Sequence, residues 1–424
     1  MSVVNRFIKR RELPGVFPTL KGVSHPVLQR LYVSRGITDA EQLSRGAANL
    51  LPFNRLKGID AAVALLVNAL KMQQHIVIVG DFDADGATST AVLLSGLKAL
   101  GFKFVEYLVP NRFEYGYGLT PPMAELAVAQ GAELIITVDN GISAIEGVAL
   151  AKKAGVKVLV TDHHLAGEQL PDADAIVNPN QPGCDFPSKA IAGVGVAFYL
   201  LLALRATLRD QAYFSPTQPE PNLAELLDLV ALGTVADVVP LDSNNRILVH
   251  QGLMRIRSGK CRPGIQALID VANRSSGKLT ASDFGFALAP RLNAAGRLDD
   301  MSLGISCLLA PDLGLARQYA AELDSLNVER RAIEQSMQTE AQAFLSQLSF
   351  DGSSLPECLC LYRHDWHQGV IGILAGRIKE QFNRPTIVFA KGDEGELKGS
   401  ARSISGLHIR DLLEEISSQY PGLI

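Results

Sequence analysis

The sequence is poor in cysteine, in aromatic residues and in excess positive charge. Its 424 residues include only five cysteines, an odd number at scattered spacings without a Cys-x-x-Cys pair, which argues against a disulfide framework or a zinc knuckle. Aromatic residues are only 6% of the chain, which argues against a protein built on base-stacking surfaces alone. With 40 Lys and Arg against 44 Asp and Glu, the net charge of −4 excludes a strongly basic, histone-like binder but leaves room for a local basic groove.

Long hydrophobic runs are also missing. The longest apolar run, residues 191–204, is shorter than the ~20 residues needed to cross a bilayer. The basic N-terminal residues are not followed by the apolar segment of a signal peptide. We therefore expect a soluble, cytoplasmic protein that contacts no membrane. With 47% apolar residues the chain can build large cores, and its length predicts more than one domain.

From about residue 71 onward, short β-branched runs alternate with helical segments. This alternation is typical of an α/β fold whose parallel sheet is covered by helices on both faces. We predict an N-terminal helical region (1–70), a catalytic α/β domain (71–312), a long connecting helix (313–348) and a smaller α/β domain (349–424). Residues 213–222 contain three prolines and are predicted to form a surface loop.

Acidic residues stand where three predicted strands end, at Asp81, Asp139 and Asp162. Ligands bind outside the carboxyl ends of parallel strands, so these side chains are expected to converge on one site. Four further candidate ligands lie beside them, namely Asp83, Asp85, His163 and His164. Packed carboxylates repel one another unless cations lie between them, and oxygen ligands with imidazole nitrogen suit manganese or magnesium. The sequence therefore predicts two divalent cations, a common arrangement for phosphodiester hydrolysis.

Taken singly, these residues have simpler interpretations. An isolated Asp after a strand is often a helix N-cap, and His163 and His164 could be turn residues. Residues 81–86 also resemble the start of a calcium-binding EF-hand loop, but Val92 stands at the twelfth position, where that loop needs Glu. The coincidence of three acidic strand ends on one sheet edge favours the metal site.

In their order along the chain, the motifs resemble those of the DHH phosphoesterase superfamily and its RecJ branch, the single-strand-specific 5′→3′ DNA exonucleases. The resemblance rests on residues 81–86, 110–118, 139–141, 162–164, 233–241 and 290–297, and it extends from about residue 20 to the end. It implies that the metal ligands are Asp83, Asp85, Asp139, His163 and Asp237, with Asp139 as the bridge.

The resemblance also assigns roles to the neighbouring side chains. Asp81 and Asp162 are expected to bind a metal or to orient a ligand, and His164 to contact the scissile phosphate or assist the leaving group. From the sequence alone, Asp237 is an acid at the end of a helix, and its role as a ligand rests on the resemblance.

Four side chains are candidates for gripping the substrate. Arg112 follows a predicted strand, and its guanidinium suits phosphate oxygens, while Tyr117 could stack on a base. Ser400 and Arg402 alternate along a predicted strand and so share one face. The resemblance implies that this strand of the DHH-associated domain grips a terminal phosphate or the backbone.

A second group of candidates, Arg291, Asn293 and Arg297, falls in a predicted glycine-containing loop. These side chains could bind a phosphate backbone or form structural salt bridges instead. Trp366 and His367 match a segment of the associated domain, and we interpret them as supporting the fold.

The implied function is a manganese- or magnesium-dependent nuclease that degrades single-stranded DNA from the 5′ end into mononucleotides, in recombination and repair. We expect a monomer, with a single-strand-binding protein and a helicase as partners by family analogy. The alternatives are a DHH phosphodiesterase of short oligonucleotides or cyclic dinucleotides, an inorganic pyrophosphatase and an inactive replisome scaffold. RecJ proteins continue with a Gly-Gly-His segment and an oligonucleotide-binding barrel. Neither occurs before Ile424, so we expect the second domain to be incomplete.

Overall fold

The computed structural model describes residues 18–347, 356–392 and 395–420. The N-terminal part contains α1 (Pro26–Val33), three short 3-10 turns and α2 (Ile59–Met72). A first α/β unit follows as β1 (Ile76–Val79), α3 (Ala84–Ala99), β2 (Val105–Leu108), α4 (Pro121–Ala129), β3 (Leu134–Val138), α5 (Ile145–Lys153), β4 (Lys157–Thr161), β5 (Ala175–Val177), α6 (Gly193–Asp210) and α7 (Leu227–Ala236). Helices α8 (Ser243–Arg257), α9 (Pro263–Val271), α10 (Ala281–Asp283), α11 (Ala289–Leu298) and α12 (Ser302–Leu309) complete it.

The five strands of this unit form one parallel sheet in the order β2-β1-β3-β4-β5. Alternate residues of β1 face opposite sides: Ile76 and Ile78 belong to the core beneath α2, α3, α6 and α7, whereas Val77 and Val79 belong to the core beneath α4 and α5. The predicted sheet covered on both faces is confirmed. The sequence analysis does not predict β5, because three residues are too few to show a strand pattern.

Two local predictions in this unit have different outcomes. Residues 213–222 form an irregular loop as predicted, apart from one isolated bridge between Ser215 and Gln218. The predicted loop at 290–297 is wrong, because this stretch lies in α11. Helix α10 runs into α11 through a π-helical turn, Phe284–Leu288, and Pro290 lies in the first turn of α11 directly after it.

Helix α13 (Leu313–Gln347) links the first unit to the second. Its first half packs against α9, α11 and α12, and its last turns contribute Met337, Ala341 and Leu345 to the core of the second unit. The long helix predicted at 313–348 is therefore present up to Gln347, and Leu348 lies outside the described residues. The domain boundaries themselves stay predictions.

The second unit contains β6 (Leu359–Tyr362), α14 (Ile371–Phe382), β7 (Thr386–Lys391), β8 (Leu397–Arg402) and α15 (Ile409–Gln419). Strand β7 is central, parallel to β6 and antiparallel to β8. Trp366 is buried in this core and its Nε1 donates to Glu340 Oε2 of α13 at 2.9 Å, in agreement with the fold-supporting role predicted for it.

The two units touch through backbone. A Cβ added to Gly369 would lie 2.1 Å from the carbonyl oxygen of Arg297, so only glycine allows this approach. Beside it, the His367 ring packs edge-on against Phe113 of the first unit, with centroids 6.0 Å apart. No helix among the described residues combines the length and the hydrophobicity that a bilayer crossing requires.

Candidate metal centre and substrate cleft

The acids of residues 81–86 are fixed by the backbone around the start of α3. Asp81 follows β1 and is buried. Asp83 is the N-cap of α3, and its Oδ1 accepts from the N–H of Asp85 at 2.8 Å. The Asp85 carboxylate accepts from the N–H groups of Gly193 and Val194, at 2.7 and 3.0 Å. These donors open α6, so the positive end of that helix stabilises the acid.

Hydrogen bonds also fix the other two acidic strand ends, Asp139 and Asp162. Asp139 follows β3 with a left-handed backbone (φ 62°), a conformation that a non-glycine residue adopts at some energetic cost and that recurs at functional sites. Its carbonyl accepts from the Tyr117 hydroxyl at 3.0 Å. Asp162 follows β4, and its two carboxylate oxygens accept from the N–H groups of Ile142 and His163 at 2.9 and 2.6 Å.

These side chains converge on one centre. Three sets of possible ligand atoms each lie within 4.8 Å of one another, namely Asp81 with Asp83 and Asp139, Asp85 with His163 and Asp237, and Asp139 with His163 and His164. His163 Nε2 lies 3.0 Å from Asp139 Oδ1, 3.5 Å from Asp237 Oδ2 and 4.0 Å from Asp85 Oδ2. Asp237, which follows the last residue of α7, reaches the same centre from a helix end.

The chemistry of this centre fits bound cations. Asp139 Oδ1, His163 Nε2 and Asp237 Oδ2 are buried without a hydrogen-bond partner among the described residues, although they lie side by side. Burial, and then the charges of neighbouring carboxylates, raise the pKa of Asp85 and of Asp139 well above the usual value, and burial with Asp83 raises the pKa of Asp237 to about 7. The carboxylates cannot all stay ionised beside one another unless positive charge lies between them.

The two histidines are in different states. Burial and the neighbouring charge of His164 lower the pKa of His163 to about 4, which leaves its imidazole neutral, the form that binds metals. Burial opposes protonation of His164 too, but the hydrogen bond and charge of Asp162 raise its pKa to about 9. His164 Nδ1 lies 2.8 Å from Asp162 Oδ1, and its half-exposed ring is therefore positively charged near neutral pH.

The structure thus brings together the predicted ligands Asp83, Asp85, Asp139, His163 and Asp237. It also groups Asp81 with Asp83 and Asp139 at ligand distances. Asp162 differs from them, because its oxygens are committed to backbone N–H groups and to His164. The individual roles of all these residues stay predictions.

One structural residue of the site was missed by the sequence analysis. Asn140 is fully buried, and its Nδ2 donates to the carbonyls of Val79 and Val138 at 3.0 and 2.9 Å. Its Oδ1 accepts from the N–H of Leu119 at 3.2 Å. It therefore ties the ends of β1 and β3 to the loop that carries Tyr117. Its place in the Asp-Asn-Gly motif was the available signal.

A cleft of about 680 Å³ opens between the two units beside the acids. The predicted substrate-binding residues that line it are Arg112, Tyr117, Asn293, Arg297, Ser400 and Arg402. The Arg112 guanidinium lies 3.9 Å over the ring of Phe82, which the sequence analysis did not single out. Burial, and then the charges of Arg112 and Arg330, lower the pKa of Arg297 to about 10. A concentration of positive charge therefore faces the acidic centre.

The second unit contributes one strand to the cleft. Ser400 and Arg402 share a face of β8 as predicted, and Arg402 Nη1 donates to Ser400 Oγ at 3.3 Å. Asn293 has a structural task as well, since its Oδ1 accepts from the N–H of Ala84 at the start of α3 at 2.7 Å. Tyr117 keeps a partly exposed ring, while its hydroxyl is committed to Asp139.

The prediction that Arg291 binds substrate is not supported by its position. This side chain is buried in α11, with Nε 2.8 Å from Asp324 Oδ1 of α13 and Nη1 donating to the carbonyl of Ala287 at 2.6 Å. Arg291 therefore forms a structural salt bridge with Asp324, which was the alternative role considered for it. Because residues 290–297 are helical rather than a loop, Arg291 and Arg297 point in different directions.

Comparison with known proteins places this site in a family. The family model described as "DHH family, N-terminal domain" matches residues 75–234, and the "DHHA1 domain" model matches residues 356–423. A curated relative from Salmonella typhimurium, "Single-stranded-DNA-specific exonuclease RecJ", is 59% identical over 414 residues, which are 97% of this chain and 70% of that protein. The chain belongs to the RecJ family.

Solved RecJ structures share the fold and are described with metals. A crystal structure of exonuclease RecJ bound to manganese is similar with a TM-score of 0.72 at 35% identity, covering 86% of both chains. RecJ from Thermus thermophilus in complex with Mg2+ is similar with a TM-score of 0.69 at 32% identity, covering 93% of this chain and 51% of that one. The RecJ fold is therefore compatible with both ions proposed from the donor set.

The acidic centre makes a testable prediction about metal binding. Asp139→Ala removes the carboxylate common to two of the three ligand sets, so Mn2+ binding measured by titration calorimetry should weaken by more than the roughly 10- to 100-fold loss typical of groups outside the ligand set. Asp172→Ala, an exposed acid paired with Lys152, is the matched control and should bind like the unaltered chain. Equal affinity of Asp139→Ala and the control would refute the assignment.

Proposed function

We propose that this member of the RecJ family is a metal-dependent exonuclease that hydrolyses phosphodiester bonds of single-stranded DNA. The observation that carries the proposal is the cleft, in which the acidic centre of the first unit faces Ser400 and Arg402 of the second. Cations at the acids and arginines across the cleft suit a polyanion that must be bound and cleaved at one place. The names of the curated relatives support the choice of single-stranded DNA.

Different residues of the chain would have different roles in hydrolysis. Divalent ions held by the acidic centre would activate water and offset charge on the phosphate oxygens. Arg112 and Arg297 orient the backbone through their guanidinium groups, which match phosphate geometry. His164, charged and hydrogen-bonded to Asp162, would donate a hydrogen bond to the scissile phosphate or a proton to the leaving oxygen.

The cleft continues beyond Arg297 into a second cavity of about 600 Å³, which we propose holds the rest of the strand. Phe286, on the π-helical turn, is 83% exposed in its wall, and Val238, exposed next to Asp237, has a left-handed backbone. Arg331 and Arg377 line the same cavity. An exposed aromatic ring beside arginines is a typical platform for stacking bases along a single strand.

The finer features of the proposal rest on family membership. We propose degradation in the 5′→3′ direction with release of mononucleotides, in recombination and repair in the cytoplasm. We further propose a monomer that works with a single-strand-binding protein and a helicase.

The competing functions are less compatible with the site. A cavity continuing past the acids favours a long strand over a short oligonucleotide, a cyclic dinucleotide or pyrophosphate. An inactive scaffold has no need of the complete ligand set assembled around Asp139.

A digestion assay tests the proposed function directly. With Mn2+ present, the chain should shorten a 5′-phosphorylated single strand to mononucleotides, leave a blunt duplex intact and act on a 3′-blocked strand. A strand blocked at its 5′ end should survive. Degradation of the 5′-blocked strand from its other end would contradict the polarity, and inertness toward every strand would contradict the function.

The grip of the second unit can be tested at Arg402. Arg402→Ala removes from the cleft a guanidinium that would make a charge-assisted contact to phosphate, so KM for a single strand should rise about tenfold or more while kcat changes little. Arg410→Ala, on the exposed surface of α15 and paired with Glu414, serves as the control. An unchanged KM in Arg402→Ala would count against the proposed grip.

The second cavity can be tested at Phe286. Loss of a stacking platform worth ~1–3 kcal/mol per base should weaken binding of a long single strand by Phe286→Ala roughly 5- to 150-fold, as followed by fluorescence anisotropy. Binding of a dinucleotide, too short to reach the cavity, should not change. The control is Phe344→Ala, which removes a half-exposed ring of α13. If Phe286→Ala lost as much affinity for the dinucleotide as for the long strand, the proposal that the second cavity holds the rest of the strand would be wrong.

A further inference from the structure

The buried face of α13 contains a polar interruption that the catalytic roles do not explain. Along this face, the apolar side chains of Leu323, Met337, Ala341 and Leu345 are buried, but Asn327, Arg330 and Glu334 stand between them and are at most 8% exposed. The interruption falls where the helix passes from the first unit to the second. Burying charged groups is costly, and a buried ion pair often adds no stability over apolar packing.

Glu334 is the centre of this polar segment. One carboxylate oxygen accepts from Arg330 of the same helix, and the other accepts from Nε of Arg377 on α14 at 3.1 Å. Arg330 in turn donates to Asn327 Oδ1 at 2.7 Å. A single buried carboxylate thus binds two arginines, one on α13 itself and one on α14 of the second unit.

The contact between Glu334 and Arg377 connects α13 to β8, the strand that carries Ser400 and Arg402. Arg377 lies on α14, and Gly372 in the first turn of that helix packs against β8 so closely that an added Cβ would lie 2.9 Å from Ser400 Oγ and 3.0 Å from Arg402 Nη2. Whatever fixes α14 therefore also fixes the Ser400–Arg402 face relative to the first unit.

The second partner of Glu334, Arg330, lies near a residue of the first unit. Arg330 is close enough to Arg297 for its charge to act on that guanidinium, and both line the second cavity. Without Glu334, two buried or half-buried arginines would face each other at the junction without the carboxylate that now separates them. Their repulsion would oppose the packing of α14 against α13.

We infer that Glu334 is a positioning residue, which by binding Arg330 and Arg377 together sets the distance between the Ser400–Arg402 face and the acidic centre. This inference rests on the proposed function, because the distance matters only if one substrate contacts both sides of the cleft. Small misplacements of binding groups reduce catalytic efficiency strongly even when they arise far from the reacting atoms.

The test compares Glu334→Gln with Glu340→Gln. An amide at 334 must turn its NH2 toward one of the two arginines and lose that partner, whereas an amide at 340 can still accept from Trp366 Nε1. With single-stranded DNA and Mn2+, KM of Glu334→Gln should rise between about 10- and 100-fold with kcat within about twofold. Glu340→Gln should keep the KM of the unaltered chain, and anisotropy of a 5′-phosphorylated strand should give the same ranking.

A second variant guards against loss of folding. Glu334→Asp keeps the buried charge but is one methylene shorter, so it cannot reach both arginines and should raise KM in the same direction. A lowered melting temperature with unchanged KM in both variants would make Glu334 merely structural and overturn the inference. If the unaltered chain digests and binds no single strand, the proposed function fails, and the inference fails with it.

Discussion

Repulsion among carboxylates packed at one edge of a parallel sheet is the constraint on which the rest of the structure depends. Burial raises the pKa of Asp81, Asp85 and Asp139 because their charges are removed from water and placed beside one another. The fold tolerates this by supplying backbone N–H groups from the start of α6 and by leaving room for cations. Two divalent ions would also bring the formal net charge of −4 to about zero, so the mild acidity of the chain is no obstacle to binding DNA.

The second unit completes the cleft beside this acidic centre. It contributes one strand face, while the close backbone approach of Gly369 to Arg297 and the bridge through Glu334 hold that face in place. The acids alone could bind cations without selecting a substrate. The cleft adds arginines beside the acids, and its continuation past Arg297 favours a strand over a mononucleotide.

The predicted elements and the predicted centre agree with the structure where the signal was local. The strands that precede Asp81, Asp139 and Asp162 were recognisable because a run of β-branched residues is a property of a few neighbouring residues. The interpretation of residues 290–297 failed because a proline and a glycine suggest a loop, although a proline in a first helical turn is compatible with α11. That error grouped Arg291 with Arg297, which the helix separates.

The sequence by itself determined the α/β fold and the cluster of acids and histidines at the strand ends, with its preference for divalent cations, since these follow from periodicity and from residue chemistry. Tertiary structure alone decided which donors meet. Asp237 reaches the centre from a helix end far along the chain, and Asp162 is hydrogen-bonded to His164. It also decided that Glu334 joins α13 to α14 through Arg377, because a charged residue on a long helix is normally solvated and only packing shows that this one is buried.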